Sequence, residues 1–314
     1  SLVKFCYRRL PGTAVTAVEL SPEVVAFRDL FLVPPDDERL SIINGDGAAY
    51  IEAVEKGIDV LLATDSNPAL WGASLDGIPI VSPDTACEQR VDAVAIGSPH
   101  LIPKLALIDP ELTMSLPPHL TAGTGMDAFT HNIECFLSNA FNPPADGIAL
   151  DGLDKAWRYV ERATKDGSDR EARYNMAMAA MEGAMVFQKG LGAVHALSHP
   201  TGGLKGYRTH HGTLNAIYLP AVLRFNEPAV GDKFRKVGQV MGLKESEQNA
   251  AGVANAVAAL NDRLGIPKGL SKAGLKDEVI EQIADGALGD HCHLSTPRQP
   301  TRAQYIELIQ QSWG

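Results

Sequence analysis

Asp127 and His131, in the stretch GMDAFTHNIE, stand four residues apart in a helical pattern, so both side chains leave one face of the helix a turn apart. His195 and His199 repeat that spacing in GLGAVHALSHPTGG, and His210 and His211 follow in RTHHGTLNA. The chain has only 9 histidines, and four of them fall between positions 195 and 211. Asp127, His131, His195 and His211 make one carboxylate and three imidazoles, a full ligand set for a divalent transition metal. Either pair alone has a plainer reading, as a buried carboxylate–imidazole pair or as histidines that cap or pack a helix. Together they point further, because both pairs lie in apolar, Gly-flanked helices where unpaired polar groups are costly. Imidazole nitrogen with carboxylate oxygen suits Zn²⁺ or Fe²⁺. Either ion accepts a further donor, and a substrate oxygen in that position is polarised by it.

Two kinds of segment must position these residues. Over the first hundred or so residues, short apolar runs alternate with turn signals: LFLV, LSII, DVLLA and IPIVS are strand-sized and bounded by Asp, Gly or Pro. GDGAAYIEAVEKG, between LSII and DVLLA, reads as a helix entered through glycines. Strand, Gly-rich turn and helix predict a βαβ unit and a mostly parallel sheet. KLALIDPELTMSLPPHL adds a strand and then a Pro-rich crossing at Pro110, Pro117 and Pro118, where the domain boundary is placed. Beyond Thr124 the patterns are helical, over 126–140, 145–164, 170–190, 191–199, 212–226, 230–241, 246–264, 275–286 and 301–312, punctuated by Pro143, Pro144, Gly202, Gly203, Pro228 and Pro267. The expected architecture is an α/β half followed by an all-helical half, with a ligand site in the cleft between.

The chain of 314 residues is long enough for two domains with a sizeable core. Its net charge of -10 argues against nucleic acid or an anionic membrane as the main partner. No apolar run reaches the length of a membrane span, and SLVKFCYRRLPG lacks a signal-peptide core. Cys6, Cys87, Cys135 and Cys292 are scattered with no CxxC and read as reduced thiols, so a cytoplasmic protein is expected. Cys135 reads as a small buried hydrophobe. His100 and His119 flank prolines and read as surface or hinge residues. His291 and His293, in GDHCHLSTPR, form a His-x-His on a loop, which reads first as solvated; lining the substrate cleft is the next reading, ahead of ligation.

LALIDPELTMSLPPHLTAGTGMDAFTHNIECF and GLGAVHALSHPTGGLKGYRTHHGTLNAIYLPAVLRFN resemble the metal-binding half of the iron-containing (group III) alcohol dehydrogenases, and DHCHLSTPRQPTRAQYIELI resembles that family's C-terminal segment. The resemblance covers roughly residues 95 to 314. It implies a dehydroquinate-synthase-like fold, with an α/β, Rossmann-like nucleotide-binding domain over 1–112, shortened or incomplete, and an all-α metal-binding domain over 113–314. It also implies Asp127, His131, His195 and His211 as ligands to Fe²⁺ or Zn²⁺. HGTLNA favours His211, with His210 as the alternative. His199 matches a family histidine that lies near the nicotinamide and is proposed to assist proton movement; the other reading makes it the residue that orients His195. The implied function is NAD- or NADP-linked alcohol dehydrogenase or aldehyde reductase activity, the metal polarising the oxygen of a small alcohol or aldehyde while hydride passes to or from the nicotinamide. A homo-oligomer, a dimer, is expected by the same analogy.

The nucleotide half departs from the family. Relatives carry a GGGSxxDxxK phosphate turn whose backbone N–H groups meet the pyrophosphate at a helix N-terminus. The nearest counterpart here is Gly45, Asp46 and Gly47, where Asp46 sets a negative charge beside phosphate. The family's second loop is represented by PDTACEQR, in which Thr85 is the candidate contact. Two rival functions follow: a metal-dependent lyase of the dehydroquinate synthase type, or a metal-binding family member without cofactor that has a non-catalytic role.

Overall fold

The computed structural model describes residues 108–314 and, in backbone only, Val15–Glu19 and Leu40–Asn44. Contacts divide the chain into Ser1–Ile58, which carries the two strands, and Asp59–Gly314, which carries the described helices. The strands β1 (Val15–Glu19) and β2 (Leu40–Asn44) pair in parallel, Val15 opposite Leu40 and Glu19 opposite Asn44. β2 is the LSII strand of the sequence reading; β1 was not anticipated. LFLV, DVLLA, IPIVS and the GDG turn lie outside the described residues.

The second unit is helical: α1 (Pro118–Leu137), α2 (Pro143–Lys165), α3 (Arg170–Met185), α4 (Ala193–Gly202), α5 (His211–Val230), α6 (Lys233–Val240), α7 (Ala250–Leu264), α8 (Ile280–Gly289) and α9 (Arg302–Gln311). Each corresponds to a helix read from the sequence, with shifted ends. α1 is the centre, packed against α2, α3 and α5. From Thr121 to Leu137 only Thr124 is not buried, the profile of a helix enclosed on all sides. Its start differs from the sequence reading. Pro118 occupies the first turn, where the missing N–H would have no intrahelical partner anyway, so the Pro-rich run opens the helix instead of only preceding it. At the other end Lys233 Nζ donates to the carbonyls of Phe136 (2.9 Å) and Ser138 (2.6 Å). The cation satisfies carbonyls that the helix end leaves open and lies at its negative pole.

Pro228 does not end α5, as the sequence reading had it; the helix runs on to Val230 and stops at Gly231, whose φ is +54°. Pro220, also inside α5, cannot donate to the carbonyl of Ala216 four residues earlier. Asn261 of α7 reaches across and donates to that carbonyl at 2.6 Å. The kink-prone position is therefore stabilised by a neighbouring helix.

α1 and α5 touch backbone to backbone. A Cβ at Gly212 would stand 2.2 Å from the carbonyl oxygen of Gly123, and one at Gly123 would stand 2.5 Å from Nδ1 of His210. Two missing side chains thus set the approach of the helices that carry Asp127 and His211.

Candidate metal centre

Three helices deliver the site. Asp127 and His131 come from the buried middle of α1, His195 from the first turn of α4, and His211 is the first residue of α5. The Nε2 atoms of His131, His195 and His211 stand 3.4, 3.6 and 3.6 Å from Asp127 Oδ1. The His131 and His195 rings stack at 4.8 Å, and the His195 and His211 rings lie 5.3 Å apart. Asp127, His131 and His195 are buried, whereas the His211 side chain keeps 29% of its exposure and makes the rim.

α4 begins at Gly192, which has no side chain to cap it. The cap comes from α1: Glu134 Oε1 accepts the Val194 N–H at 2.8 Å, and the carboxylate lies at the positive end of the helix. A Cβ on residue 192 would be 2.6 Å from that oxygen, so glycine is required for the approach. The other oxygen, Oε2, lies 2.6 Å from His195 Nδ1. The carboxylate accepts the Nδ1 proton, which leaves Nε2 as the His195 atom that faces Asp127, the one that would give up its proton to a metal. Glu134 therefore starts the helix and sets the tautomer of its histidine.

Asn215, one turn beyond His211, donates through Nδ2 to Asp127 Oδ1 at 2.6 Å and stands 3.2 and 3.0 Å from Nε2 of His195 and His211. The acceptors of three residues thus face one small region. Burial and the neighbouring imidazoles hold His131 down to about 4, against the pull of Asp127. Partial burial and the other imidazoles likewise hold His211 well below the usual range. Asp127 is held far below the usual carboxylate range, the surrounding imidazoles outweighing its burial. Burial opposes protonation of His195, but its hydrogen bonds to Asp127 and Glu134 outweigh it and push the group up to about 9.

These residues fit a divalent ion. Ligand atoms around zinc, at about 2.0–2.2 Å from the ion, lie roughly 3.0–3.5 Å from one another, and the three Asp127–imidazole separations are close to that. Among the described residues, the ion-pair partners of the buried Asp127 and Glu134 are histidines only. Once a divalent cation takes the place of the His195 Nε2 proton, two carboxylates with neutral imidazoles carry the charge that the cation balances.

Residues 121–313 match the family model described as Fe-containing alcohol dehydrogenase family, C-terminal. The chain belongs to the iron-containing alcohol dehydrogenase family. It is 53% identical over 220 residues to 4-hydroxybutyrate dehydrogenase of Cupriavidus necator, covering 68% of this chain and 56% of that one. It is 32% identical over 264 residues to NAD-dependent methanol dehydrogenase of Bacillus methanolicus, covering 82% of this chain and 68% of that one. Among solved structures, a 1,3-propanediol oxidoreductase superposes with a TM-score of 0.70 at 27% identity, over 98% of this chain and 79% of that one. The chain spans little more than half the length of the hydroxybutyrate dehydrogenase. The helical half has the family's fold.

The ligand-type atoms of Asp127, His195 and His211 all lie within 4.8 Å of one another, and His131 Nε2 joins them through Asp127 Oδ1 at 3.4 Å. His210 is elsewhere: its Nδ1 accepts the Thr213 N–H at 3.2 Å and caps α5. Of the two readings of His199, orientation of His195 is taken by Glu134. His199 is held instead by Asp290, Oδ2 to Nδ1 at 2.8 Å, and its ring stacks on His211 at 5.4 Å. His291 and His293 part company, since His293 Nδ1 lies 3.0 Å from the Tyr305 hydroxyl. Cys135 is buried in the core and His119 is exposed. Gly45, Asp46, Gly47 and Thr85 lie outside the described residues. Sequence reasoning missed Glu134, Asn215 and Asp290. Glu134 is seven residues after Asp127 and Asn215 four after His211, spacings that share a helix face. Asp290 is 91 residues from His199 and has no local signal.

Proposed function

We propose that this chain is the metal-bearing part of an NAD(P)-linked dehydrogenase that interconverts a small primary alcohol and its aldehyde. The observation that carries the reading is the convergence of three imidazole nitrogens within 3.6 Å of Asp127 Oδ1. Asp127, His131, His195 and His211 would hold Fe²⁺ or Zn²⁺, with His211 on the open side. Such an ion supplies Lewis acidity toward an alcohol or carbonyl oxygen, and the nicotinamide supplies the redox chemistry.

The chain's own residues do the rest. Glu134 keeps the Nδ1 proton on His195 and so keeps Nε2 available as a donor to the metal. The stacked His131 and His195 rings are buried and form the inner, water-poor wall of the site. At the rim, Asp290 holds the Nδ1 proton of His199, which presents Nε2 as the acceptor for the proton that alcohol oxidation releases. The names of the related proteins, which concern hydroxybutyrate, methanol and propanediol, support a short primary alcohol as substrate.

The N-terminal segment is proposed to be an α/β nucleotide-binding unit. β1 and β2 are parallel, and Gly45-Asp46-Gly47 follows directly on Asn44, the last residue of β2. A Gly-rich turn after a parallel strand is where a pyrophosphate is received; Thr85 is the second proposed contact. A homodimer and a cytoplasmic location belong to the same reading, and no described helix is long and apolar enough to cross a membrane. The test combines elemental analysis of purified protein with an NAD(P)H-linked screen of short alcohols, diols and ω-hydroxy acids. Bound iron or zinc with turnover of at least one such substrate is expected. Protein that carries no transition metal, or keeps it after His195→Ala and His211→Ala, refutes the site.

A further inference from the structure

A second group of ligand-type side chains stands beside the first. His199, in the last turn of α4, meets Asp290, His291 and Cys292, which lead from α8 into the 3₁₀ turn His291–Ser295. One ring nitrogen from each histidine, one carboxylate oxygen and the thiol sulfur all lie within 4.8 Å of one another. The turn is built for this. Asp290 Oδ1 accepts the Cys292 N–H at 2.8 Å while Oδ2 holds His199 Nδ1 at 2.8 Å. His291 Nε2 lies 3.4 Å from Cys292 Sγ, and the His291 ring stacks on His199 at 5.7 Å and 18°.

An aspartate orienting a histidine explains the Asp290–His199 pair. It does not explain why a buried thiol and a second imidazole converge on the same point. Around tetrahedral zinc, with Zn–N about 2.0–2.1 Å and Zn–S about 2.3 Å, ligand atoms lie roughly 3.3–3.8 Å apart. Here His291 has 72% of its side chain exposed while Cys292 is buried, so rotation of one solvent-facing ring closes the set.

We propose that His199, Asp290, His291 and Cys292 form a second metal site, separate from the Asp127 centre, that takes a borderline-soft divalent ion such as zinc. The thiol favours zinc over magnesium or ferrous iron, and on binding it releases its proton to solvent. Because the His199 ring also stacks on His211 at 5.4 Å and 13°, an ion here engages a residue at the mouth of the first site. Excess zinc therefore slows turnover through this site, in addition to any exchange at the first. The second site itself stands on its own four ligands, whereas its effect on turnover rests on the proposed function.

Cobalt(II) titration of the 314-residue chain tests it, because the ligands proposed at the Asp127 centre include no sulfur. Saturated wild-type protein is expected to show a sulfur-to-cobalt charge-transfer band in the near-ultraviolet. Asp127→Asn keeps the band while losing a different equivalent of metal. His291→Ala, a change at an exposed position that leaves folding intact, and Cys292→Ser each lose the band and one equivalent. Absence of the band in saturated wild type, or a band that survives Cys292→Ser, overturns the proposal.

Discussion

Replacing Glu134 by glutamine alters one atom and separates the two duties of this side chain. The carboxylate accepts two N–H groups, Val194 N at 2.8 Å and His195 Nδ1 at 2.6 Å. Glutamine brings one acceptor and one NH₂ donor. If its oxygen stays on Val194, the NH₂ group faces His195 Nδ1, and the imidazole must move its proton to Nε2, the atom aimed at Asp127. If its oxygen turns to His195, the NH₂ group confronts the Val194 N–H and α4 loses its cap. Loss of an orienting partner of this kind costs about 10–100-fold in metal affinity, or roughly 1.4–2.8 kcal/mol. The metal-free protein loses a charge-assisted hydrogen bond as well, of about 1.5–3 kcal/mol. Metal affinity is read by competition with a graded chelator, and stability by urea unfolding of metal-free protein. Tighter binding of Glu134→Gln than of the wild type, or equal binding together with equal stability, would show that Glu134 neither sets the tautomer nor caps the helix.

Three further outcomes follow from the packing around the site. Gly212→Ala puts a Cβ 2.2 Å from the Gly123 carbonyl and 3.0 Å from Asp127 Cβ; overpacking of this kind costs about 1–3 kcal/mol, and an unchanged urea midpoint would refute the close crossing of α1 and α5. His210→Ala is expected to keep its metal and lose about 0.5–2 kcal/mol of capping, whereas His211→Ala loses metal; elemental analysis of the two variants side by side decides, and the reverse pattern would exchange their roles. Asn261→Leu strands the Ala216 carbonyl and should cost about 1–3 kcal/mol. Adding Pro220→Ala supplies the missing N–H and should recover much of that loss; simple additivity of the two changes in urea unfolding would show that Asn261 does not serve the proline.

The candidate ligand types and the helices that carry them were legible in the sequence because both are matters of local spacing. Asp127 with His131 is a one-turn relation, and apolar periodicity marked the existence of each described helix, with ends displaced by up to eight residues at the start of α1. Ends were less legible: a proline can open a helix, as Pro118 does, or be tolerated inside one when another helix serves the stranded carbonyl, as Asn261 does for Pro220. The choice of His211 over His210 rested on resemblance in the sequence. In the fold it follows from the entry into α5, where His210 turns back as the cap and His211 turns inward.

What the tertiary structure alone decided is which groups surround the proposed metal ligands. Glu134 could be placed on the face of Asp127 by counting turns. That its carboxylate would meet the start of α4, capping one helix from another while holding a histidine proton, depends on how α1 and α4 dock and on a glycine at 192. Asp290 reaches His199 across 91 residues of chain, a distance over which no spacing rule operates. Local sequence specifies donors and acceptors; their pairing is settled by the packing of helices, since only burial makes an unpaired donor or acceptor costly enough to select its partner.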